Sequence, residues 1–136
     1  KIAEEFSVKE LEHEHEERLY KDKSCVAFIK NFPEFTSPFW NMKRNTENDT
    51  GKKVDVILSG METFGSAERE CDVDIMRNRF ETIMNGDYRR KLIELFGEER
   101  VEAELKEYFN LTFIPRVGTG IGLTRLIKSM EKEGLI

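Results

Sequence analysis

Two acidic residues in the segment VDVILSGME have the side-chain types of a divalent-cation site. Asp55 and Glu62 are seven residues apart, which would place them on opposite faces of one continuous strand. A hairpin turn around Leu58 to Gly60 would instead make them cross-strand partners on one face. Neighbouring carboxylates repel unless a cation bridges them, and oxygen ligands near a phosphate suit Mg²⁺. The alternative is two solvated acids on an exposed sheet face.

Three glycines alternate near the end of the chain, in the segment GTGIGLTR. Gly118, Gly120 and Gly122 share one face of a predicted strand and leave that face bare. A flat ring could lie against it, and Arg125, about one turn beyond, could reach the phosphates of a nucleotide. The segment is neither a phosphate-binding loop with GK[ST] nor a dinucleotide fingerprint. Tight backbone packing against a neighbouring helix is the alternative.

Arg69 closes the run GSAER and is the third candidate for chemistry. An arginine fork near a metal-bound nucleotide could hold a substrate carboxylate through two hydrogen bonds. Taken alone, a surface ion pair is the more ordinary role of such a residue.

The strands that position these residues follow from the hydrophobic pattern. From Lys53, apolar and polar residues alternate in two runs divided at Ser59 and Gly60, which predicts adjacent antiparallel strands at the sheet centre. The runs SCVAFIKNFP and SPFWNMKRN predict two more strands, and the polar segment Asn45–Gly51 predicts a turn. The charged stretch before them predicts a short helix or an ordered loop.

Helical spacing replaces this alternation between Val73 and Tyr108, where Gly86 and Gly97 divide the stretch into three predicted helices. The glycine strand follows Pro115, and residues 123–130 predict a closing helix. Strands therefore come before helices along most of the chain, which makes parallel winding unfavourable. We expect an α/β fold of the α+β type, in which helices flank an antiparallel sheet.

Length and composition limit the possible functions. The 136 residues, 38% of them hydrophobic, suffice for one core, so residues 1–136 are predicted to form a single domain. With 22 basic and 27 acidic residues the net charge is −5, which argues against DNA as a partner. No apolar run approaches the roughly 20 residues of a membrane helix. Two cysteines without metal spacing favour a reducing cytoplasm.

Together these segments resemble the class II aminoacyl-tRNA synthetases, and within them the aspartyl/asparaginyl group, from about Phe32 to Met130. NFPEFTSPFWNMKRN resembles a strand pair of that group, and VDVILSGMETFGSAER resembles its aspartate, glutamate and arginine strands. RVGTGIGLTRL resembles motif 3, at residues 117–130. Nothing resembles motifs 1 and 2. The resemblance thus implies the C-terminal part of a catalytic domain, which on its own we expect to be inactive.

The resemblance also implies cofactors and roles. ATP and Mg²⁺ are the implied cofactors, and an aminoacyl adenylate is the implied intermediate. The implied metal ligands are Asp55 and Glu62, Arg69 would hold the side chain of aspartate or asparagine, Arg125 would contact ATP, and Gly118, Gly120 and Gly122 would accommodate the adenosine.

Four positions depart from the family pattern. Glu68 replaces the usual glutamine, Gly65 a serine, Arg116 a histidine and Thr124 an acid. The group with such departures that the sequence most resembles is the archaeal asparagine synthetase related to asparaginyl-tRNA synthetase, which amidates aspartate with ammonia. Glu68 could then belong to a site that handles ammonium.

Three functions follow from the resemblance. The first is an ATP-dependent ligase for asparagine biosynthesis, cytoplasmic and homodimeric at full length. The second is a fragment of an asparaginyl- or aspartyl-tRNA synthetase, for which tRNA would be a partner. The third is an inactive paralogue that serves as a binding or regulatory protein. We favour the first.

Overall fold

Four strands form one sheet in the computed structural model, which describes residues 2–36, 38–48 and 50–136. They are β1 (Val26–Pro33), β2 (Thr50–Leu58), β3 (Met61–Glu68) and β4 (Val117–Ile121), in the spatial order β1-β2-β3-β4. The sheet is antiparallel and carries helices, which confirms the predicted fold class. Sequential strands are spatial neighbours, as is usual for antiparallel connections.

The β2–β3 hairpin is tight, as predicted, and Ser59 and Gly60 form its two-residue turn. Their φ angles are 50° and 85°, and positive values at both positions match the twist of the flanking strands. The register is irregular between Val56 and Ile57, where β3 contributes an extra residue. This irregularity decides which side chains lie beside each other further along the hairpin.

The prediction of a strand over SPFWNMKRN is wrong. The described part of residues 33–48 has a 3₁₀ turn at Glu34–Thr36 and the single bridges of Met42 with Arg69 and of Arg44 with Gly51. Because the buried guanidinium of Arg44 donates to the carbonyl oxygens of Pro38, Phe39 and Met42, these groups need no partner strand. Ser37 in this segment and Asp49 in the predicted turn lie outside the described residues.

Six helices accompany the sheet in the described residues: α1 (Ile2–Glu5), α2 (His13–Asp22), α3 (Val73–Thr82), α4 (Asp87–Phe96), α5 (Glu98–Phe109) and α6 (Leu123–Lys132). The predicted breaks hold, since Gly86 and Gly97 both have a φ of 82°. Glycine adopts this left-handed conformation without a Cβ clash, so α3, α4 and α5 can change direction at these points.

The chain divides into two compact units. The sheet unit comprises Lys1–Phe32, Lys53–Ala67 and Gly118–Ile136, and the helical unit comprises Pro33–Lys52 and Glu68–Val117. The helical unit has an aromatic-rich core of buried residues, namely Trp40, Met76, Phe80, Val101 and Phe109. The single domain expected from the sequence stays a prediction. None of the described helices is long and apolar enough to cross a lipid bilayer.

Candidate active site

Asp55 and Glu62 approach each other in the sheet unit, although their predicted register is wrong. The turn at Ser59 and Gly60 pairs Glu62 with Ile57, and the irregularity between Val56 and Ile57 then moves the partner of Asp55 by one position, to Gly65. The two side chains still converge: a Cβ on Gly65 would lie 3.2 Å from Glu62 Oε1 and 3.5 Å from Asp55 Oδ1. The hairpin irregularity thus places both carboxylates over the bare backbone of Gly65.

Asp55 is a buried carboxylate that is only half neutralised. The residue is 5% exposed, and Lys53 Nζ lies 2.5 Å from its Oδ2. Oδ1 is buried and has no hydrogen-bond partner among the described residues. Burial raises the pKa of Asp55, and the adjacent Lys53 opposes this rise. An unpaired oxygen in such a place is suited to a cation.

Glu62 is more accessible, and its side chain is 37% exposed. Burial raises its pKa, and the charge of Asp55 is the next contribution in the same direction. Glu62 is therefore harder to ionise while Asp55 is charged. A divalent cation bound between the two carboxylates would remove this repulsion.

A third acid, Glu16 on α2, belongs to this cluster and was not predicted. Its Oε2 accepts a hydrogen bond of 3.0 Å from the backbone N–H of Glu62, and its charge adds to the rise in the pKa of Asp55 and of Glu62. The sequence offers only a run of acids on a charged helix, with no spacing that distinguishes Glu16. Its role here is to fix the backbone of Glu62.

Two carboxylates are the most that the described residues offer a metal, since no group of three or more His, Cys, Asp or Glu among them could hold an ion. Mg²⁺ commonly binds through one or two carboxylates, with substrate phosphates and water completing its octahedron. Asp55 Oδ1 and Glu62 Oε1, both beside Gly65, meet this requirement.

Arg125 lies next to this pair, at the start of α6. Its Nη1 donates a 2.7 Å hydrogen bond to the carbonyl oxygen of Glu62 and lies 4.0 Å from Glu62 Oε2. The side chain is 58% exposed, so the guanidinium keeps donors for another ligand. The structure thus brings together three predicted site residues: Asp55, Glu62 and Arg125.

The glycine strand β4 leaves open space where adenosine was predicted. A Cβ on Gly120 would meet no described atom within 4 Å, so close helix packing does not explain this glycine. A Cβ on Gly122 would lie in ordinary contact with Arg125 and with the carbonyl oxygen of Thr63. Thr63 also accepts the Gly122 N–H at 2.9 Å, which holds β4 beside β3. Gly118, in the same strand, is half-buried.

Arg69, the remaining predicted site residue, belongs to the helical unit. Its Nη1 donates to Asn41 Oδ1 at 3.0 Å, and its backbone N–H donates to the carbonyl oxygen of Arg116. Asn41 therefore holds the guanidinium from one side. The role of Arg69 toward a substrate stays a prediction.

Glu68, just before Arg69, contacts two ammonium groups of the chain itself. Lys43 Nζ lies 2.9 Å from one carboxylate oxygen and Lys52 Nζ lies 3.0 Å from the other. These two lysines lower the pKa of Glu68, Lys43 most strongly. Both carboxylate oxygens of Glu68 are thus paired with amines, which favour its ionised form.

Comparison with known proteins agrees with this geometry. A model of the family described as tRNA synthetases class II (D, K and N) matches residues 2–136. No curated protein matches the sequence. The protein is similar to solved structures of asparaginyl- and aspartyl-tRNA synthetases at identities that show the fold alone.

Three of these structures illustrate the likeness. The asparaginyl-tRNA synthetase from Entamoeba histolytica in complex with asparaginyl-adenylate has a TM-score of 0.73 at 15% identity, over 97% of this chain and 29% of that one. The asparaginyl-tRNA synthetase from Pyrococcus horikoshii, also complexed with asparaginyl-adenylate, has a TM-score of 0.70 at 19% identity, over 96% of this chain and 29% of that one. The aspartyl tRNA synthetase from Entamoeba histolytica has a TM-score of 0.60 at 23% identity, over 90% of this chain and 23% of that one. This chain spans less than a third of each.

Proposed function

Because the chain belongs to the class II tRNA synthetases of the D, K and N type, we propose that it is the ATP-binding part of a ligase that activates aspartate as an adenylate. The observation that carries the proposal is the convergence of Asp55 and Glu62 over Gly65, with Arg125 beside them. Two structural neighbours that hold asparaginyl-adenylate support an acyl-adenylate chemistry for this fold.

In this proposal the sheet unit holds the nucleotide. Asp55 and Glu62 would hold Mg²⁺, and the bound ion would neutralise phosphate charge. Arg125 donates from its exposed guanidinium to the phosphates of ATP. The adenosine lies against the open face at Gly120, with Gly118 on the same strand and Gly122 between that strand and α6. Glu16 keeps the backbone of Glu62 in place through its hydrogen bond.

The proposed first step forms a β-aspartyl adenylate. The β-carboxylate of aspartate attacks the α-phosphorus of ATP, and the bond to the bridging oxygen breaks to release pyrophosphate. Arg69, whose guanidinium donates to Asn41, orients the side-chain carboxylate of aspartate through two hydrogen bonds. No residue of the chain acts as a covalent nucleophile, since positioning and charge neutralisation suffice for this displacement.

In the proposed second step ammonia attacks the activated carbonyl carbon. The carbon–oxygen bond to the phosphate breaks, AMP leaves, and the nitrogen loses a proton to solvent, which yields asparagine. Glu68, an acid where the resemblance predicts glutamine, would favour ammonium near the substrate. Its contacts with the ammonium groups of Lys43 and Lys52 support this role. We place the enzyme in the cytoplasm as a homodimer, and free thiols at Cys25 and Cys71 agree with a reducing compartment.

Transfer to tRNA is the second candidate, and the aspartyl- and asparaginyl-tRNA synthetases among the structural neighbours favour it. It uses the same kind of attack on the α-phosphorus of ATP, but by the α-carboxylate of the amino acid instead of the β-carboxylate, and the acceptor is a ribose hydroxyl of tRNA instead of ammonia. The test is to incubate the full-length protein with ATP, Mg²⁺, aspartate and ammonium, and to measure free asparagine and AMP with and without tRNA. Asparagine formed without tRNA supports the synthetase, whereas charged tRNA with no free asparagine overturns it.

The metal assignment has its own test in the same protein. The double variant Asp55→Asn with Glu62→Gln should abolish Mg²⁺-dependent ATP turnover and leave the circular dichroism spectrum unchanged. The matched control is Glu14→Gln with Asp22→Asn, because these acids of the same unit are well exposed. Turnover that survives in the double variant would contradict the assignment. Absence of Mg²⁺-dependent ATP binding in the unmodified protein would instead identify an inactive paralogue.

A further inference from the structure

A second arginine, Arg116, stands opposite Arg69 and has no role in the proposed function. The backbone N–H of Arg69, directly after β3, donates to the carbonyl oxygen of Arg116, directly before β4, at 2.9 Å. We propose that Arg116 binds the α-carboxylate of aspartate, so that the two arginines together select a dicarboxylate substrate. This inference rests on the proposed function, in which Arg69 binds the side-chain carboxylate.

The backbone hydrogen bond determines how the two side chains are placed. β3 and β4 are neighbours in the antiparallel sheet, and the bond between Arg69 and Arg116 continues their pairing beyond the strand ends. Residues joined in this way stand directly opposite each other, and their side chains leave the same face with Cβ atoms about 5 Å apart. Two guanidinium groups therefore start from neighbouring points on one face.

These two guanidinium groups have neutral partners only, among the residues that the structure describes. Arg69 Nη1 donates to Asn41 Oδ1 at 3.0 Å, and Arg116 Nη1 donates to the carbonyl oxygen of Ile114 at 3.3 Å. Both arginines are half-buried. Like charges directly opposite each other on two strands destabilise a sheet. A bound anion would remove this repulsion.

Other cations of the same unit are paired with acids. Lys43 and Lys52 both contact Glu68, and Arg79 Nη1 lies 3.1 Å from Glu70 Oε2. The sequence has 27 acidic residues, so carboxylates to pair with the two opposed arginines are not scarce. Their missing acidic partner among the described residues is therefore a local feature, and it favours an anion supplied by a ligand.

The number of free donors matches a ligand with two carboxylates. A guanidinium has five N–H donors, and the side-chain hydrogen bonds to Asn41 and Ile114 use one donor of each arginine. Each planar fork can then hold one carboxylate through two charge-assisted hydrogen bonds. Aspartate has two carboxylates for the two forks. The contact of Arg116 with the ring of Phe113, at 5.1 Å, holds the second fork in place.

β-Alanine is the matched probe, because it is aspartate without the α-carboxylate. Binding of each compound to the full-length protein is measured by calorimetry without ATP. We expect the parent to bind aspartate at least about tenfold more tightly than β-alanine. Arg116→Met should weaken aspartate binding at least about tenfold and leave β-alanine within about twofold. Arg69→Met should weaken both, since both compounds keep the carboxylate that Arg69 binds.

Two further variants separate a direct contact from a structural effect. Arg116→Lys keeps the charge and should lose less affinity for aspartate than Arg116→Met, again without a change for β-alanine. Arg90→Met, at an arginine whose side chain is 63% exposed in the same unit, should leave both affinities unchanged. Equal binding of the two compounds by the parent overturns the inference, as does an equal loss for both in folded Arg116→Met and Arg116→Lys.

The proposed function is tested separately in the same protein, through AMP formed from ATP, Mg²⁺, aspartate and ammonium. AMP formation together with equal binding of aspartate and β-alanine would retain the ligase and remove only the role of Arg116. Binding of aspartate that depends on Arg116, without any AMP formation, would instead retain the dicarboxylate site and remove the ligase. A parent that does not bind aspartate overturns the inference.

Discussion

Asp55 is the residue at which function and stability oppose each other most directly. The residue is 5% exposed, and burial raises the pKa of its carboxyl group despite the contact with Lys53. Ionised Asp55 is therefore less stable in the native protein than in the unfolded chain. A buried, ionised carboxylate with one unpaired oxygen lowers the stability of the native protein. The same ionised form is what a ligand for a cation requires.

The pH dependence of stability tests this interpretation. A carboxyl whose native pKa is raised holds its proton longer in the native state, so the free energy of unfolding falls as pH rises from the unfolded pKa, near 3.9, through the native value. Asp55→Asn removes this loss. We expect the stability of the variant relative to the parent to increase between pH 3.5 and pH 8, measured by urea unfolding at a series of pH values. A difference that does not change with pH would contradict the account.

Arg69 is the second residue whose chemistry can be tested alone. Lysine at this position keeps the charge but loses the planar fork, so Arg69→Lys should lower kcat/KM for aspartate about 100-fold in the full-length enzyme. Asn41→Ala removes the partner that orients the guanidinium and should cost about tenfold. The KM for ATP should stay within about twofold in both variants. An equal loss for both substrates would mean general disruption.

At the scale of elements, the β2–β3 hairpin determines where the carboxylates lie. Its turn depends on Gly60, whose φ of 85° suits glycine and whose added Cβ would lie 3.0 Å from Glu17 Cδ and 3.1 Å from Glu17 Cα. A methyl group here therefore meets both backbone strain and a helix backbone. Together with the irregularity between Val56 and Ile57, this turn sets the register that brings Asp55 and Glu62 together over Gly65.

Gly60→Ala should lower the free energy of unfolding by about 2 kcal/mol, because the left-handed conformation is unfavourable for alanine and the methyl group crowds α2. The matched control is Gly120→Ala, where the added Cβ meets no described atom within 4 Å and the cost should stay within about 0.5 kcal/mol. Thermal and urea unfolding measure both. Equal destabilisation by the two substitutions would show that the turn geometry is not the cause.

Local patterns predicted much of this architecture. Alternation in residues 53–68 and the turn at Ser59 and Gly60 predicted the hairpin, and helical spacing with Gly86 and Gly97 predicted α3, α4 and α5. Such signals lie within a few residues of the structure that they encode. They suffice for the fold class and for the approximate meeting of Asp55 with Glu62.

Features that depend on distant side chains escaped prediction. The segment after β1 has strand-like composition, yet Arg44 binds its carbonyl oxygens from within the fold. The extra residue in β3 opposite Val56 and Ile57 follows from the packing of the whole hairpin and has no local signal. Glu16 joins the acidic cluster across 46 positions of sequence. Periodicity carries no information about such contacts.

At the scale of the whole molecule, the two units carry different candidate chemistry. The sheet unit has Asp55, Glu62, Gly120 and Arg125, which concern metal and nucleotide. The helical unit has Arg69, which concerns the amino-acid substrate. The class II family to which the chain belongs matches residues 2–136, and therefore residues of both units.

The closing helix α6 leaves part of its predicted apolar face uncovered. Leu126 and Met130 are half-buried, but Leu123 is 68% and Ile127 is 49% exposed, and Ile121 before them is 50% exposed. Contiguous exposed apolar side chains on one helix face favour association, and a net charge of −5 opposes it only weakly. The 136-residue chain should therefore self-associate through α6.

Sedimentation velocity over a concentration series tests this expectation. The mean mass of the parent chain should rise with concentration, whereas Leu123→Glu with Ile127→Lys should stay near 16.0 kDa, because the new pair hides no apolar surface and forms a favourable i,i+4 ion pair that preserves the helix. Leu95→Glu, at a residue that is 72% exposed on α4, is the control and should associate like the parent. If the parent stays monomeric, or if Leu95→Glu alone abolishes association, the uncovered face of α6 is not what drives the chains together.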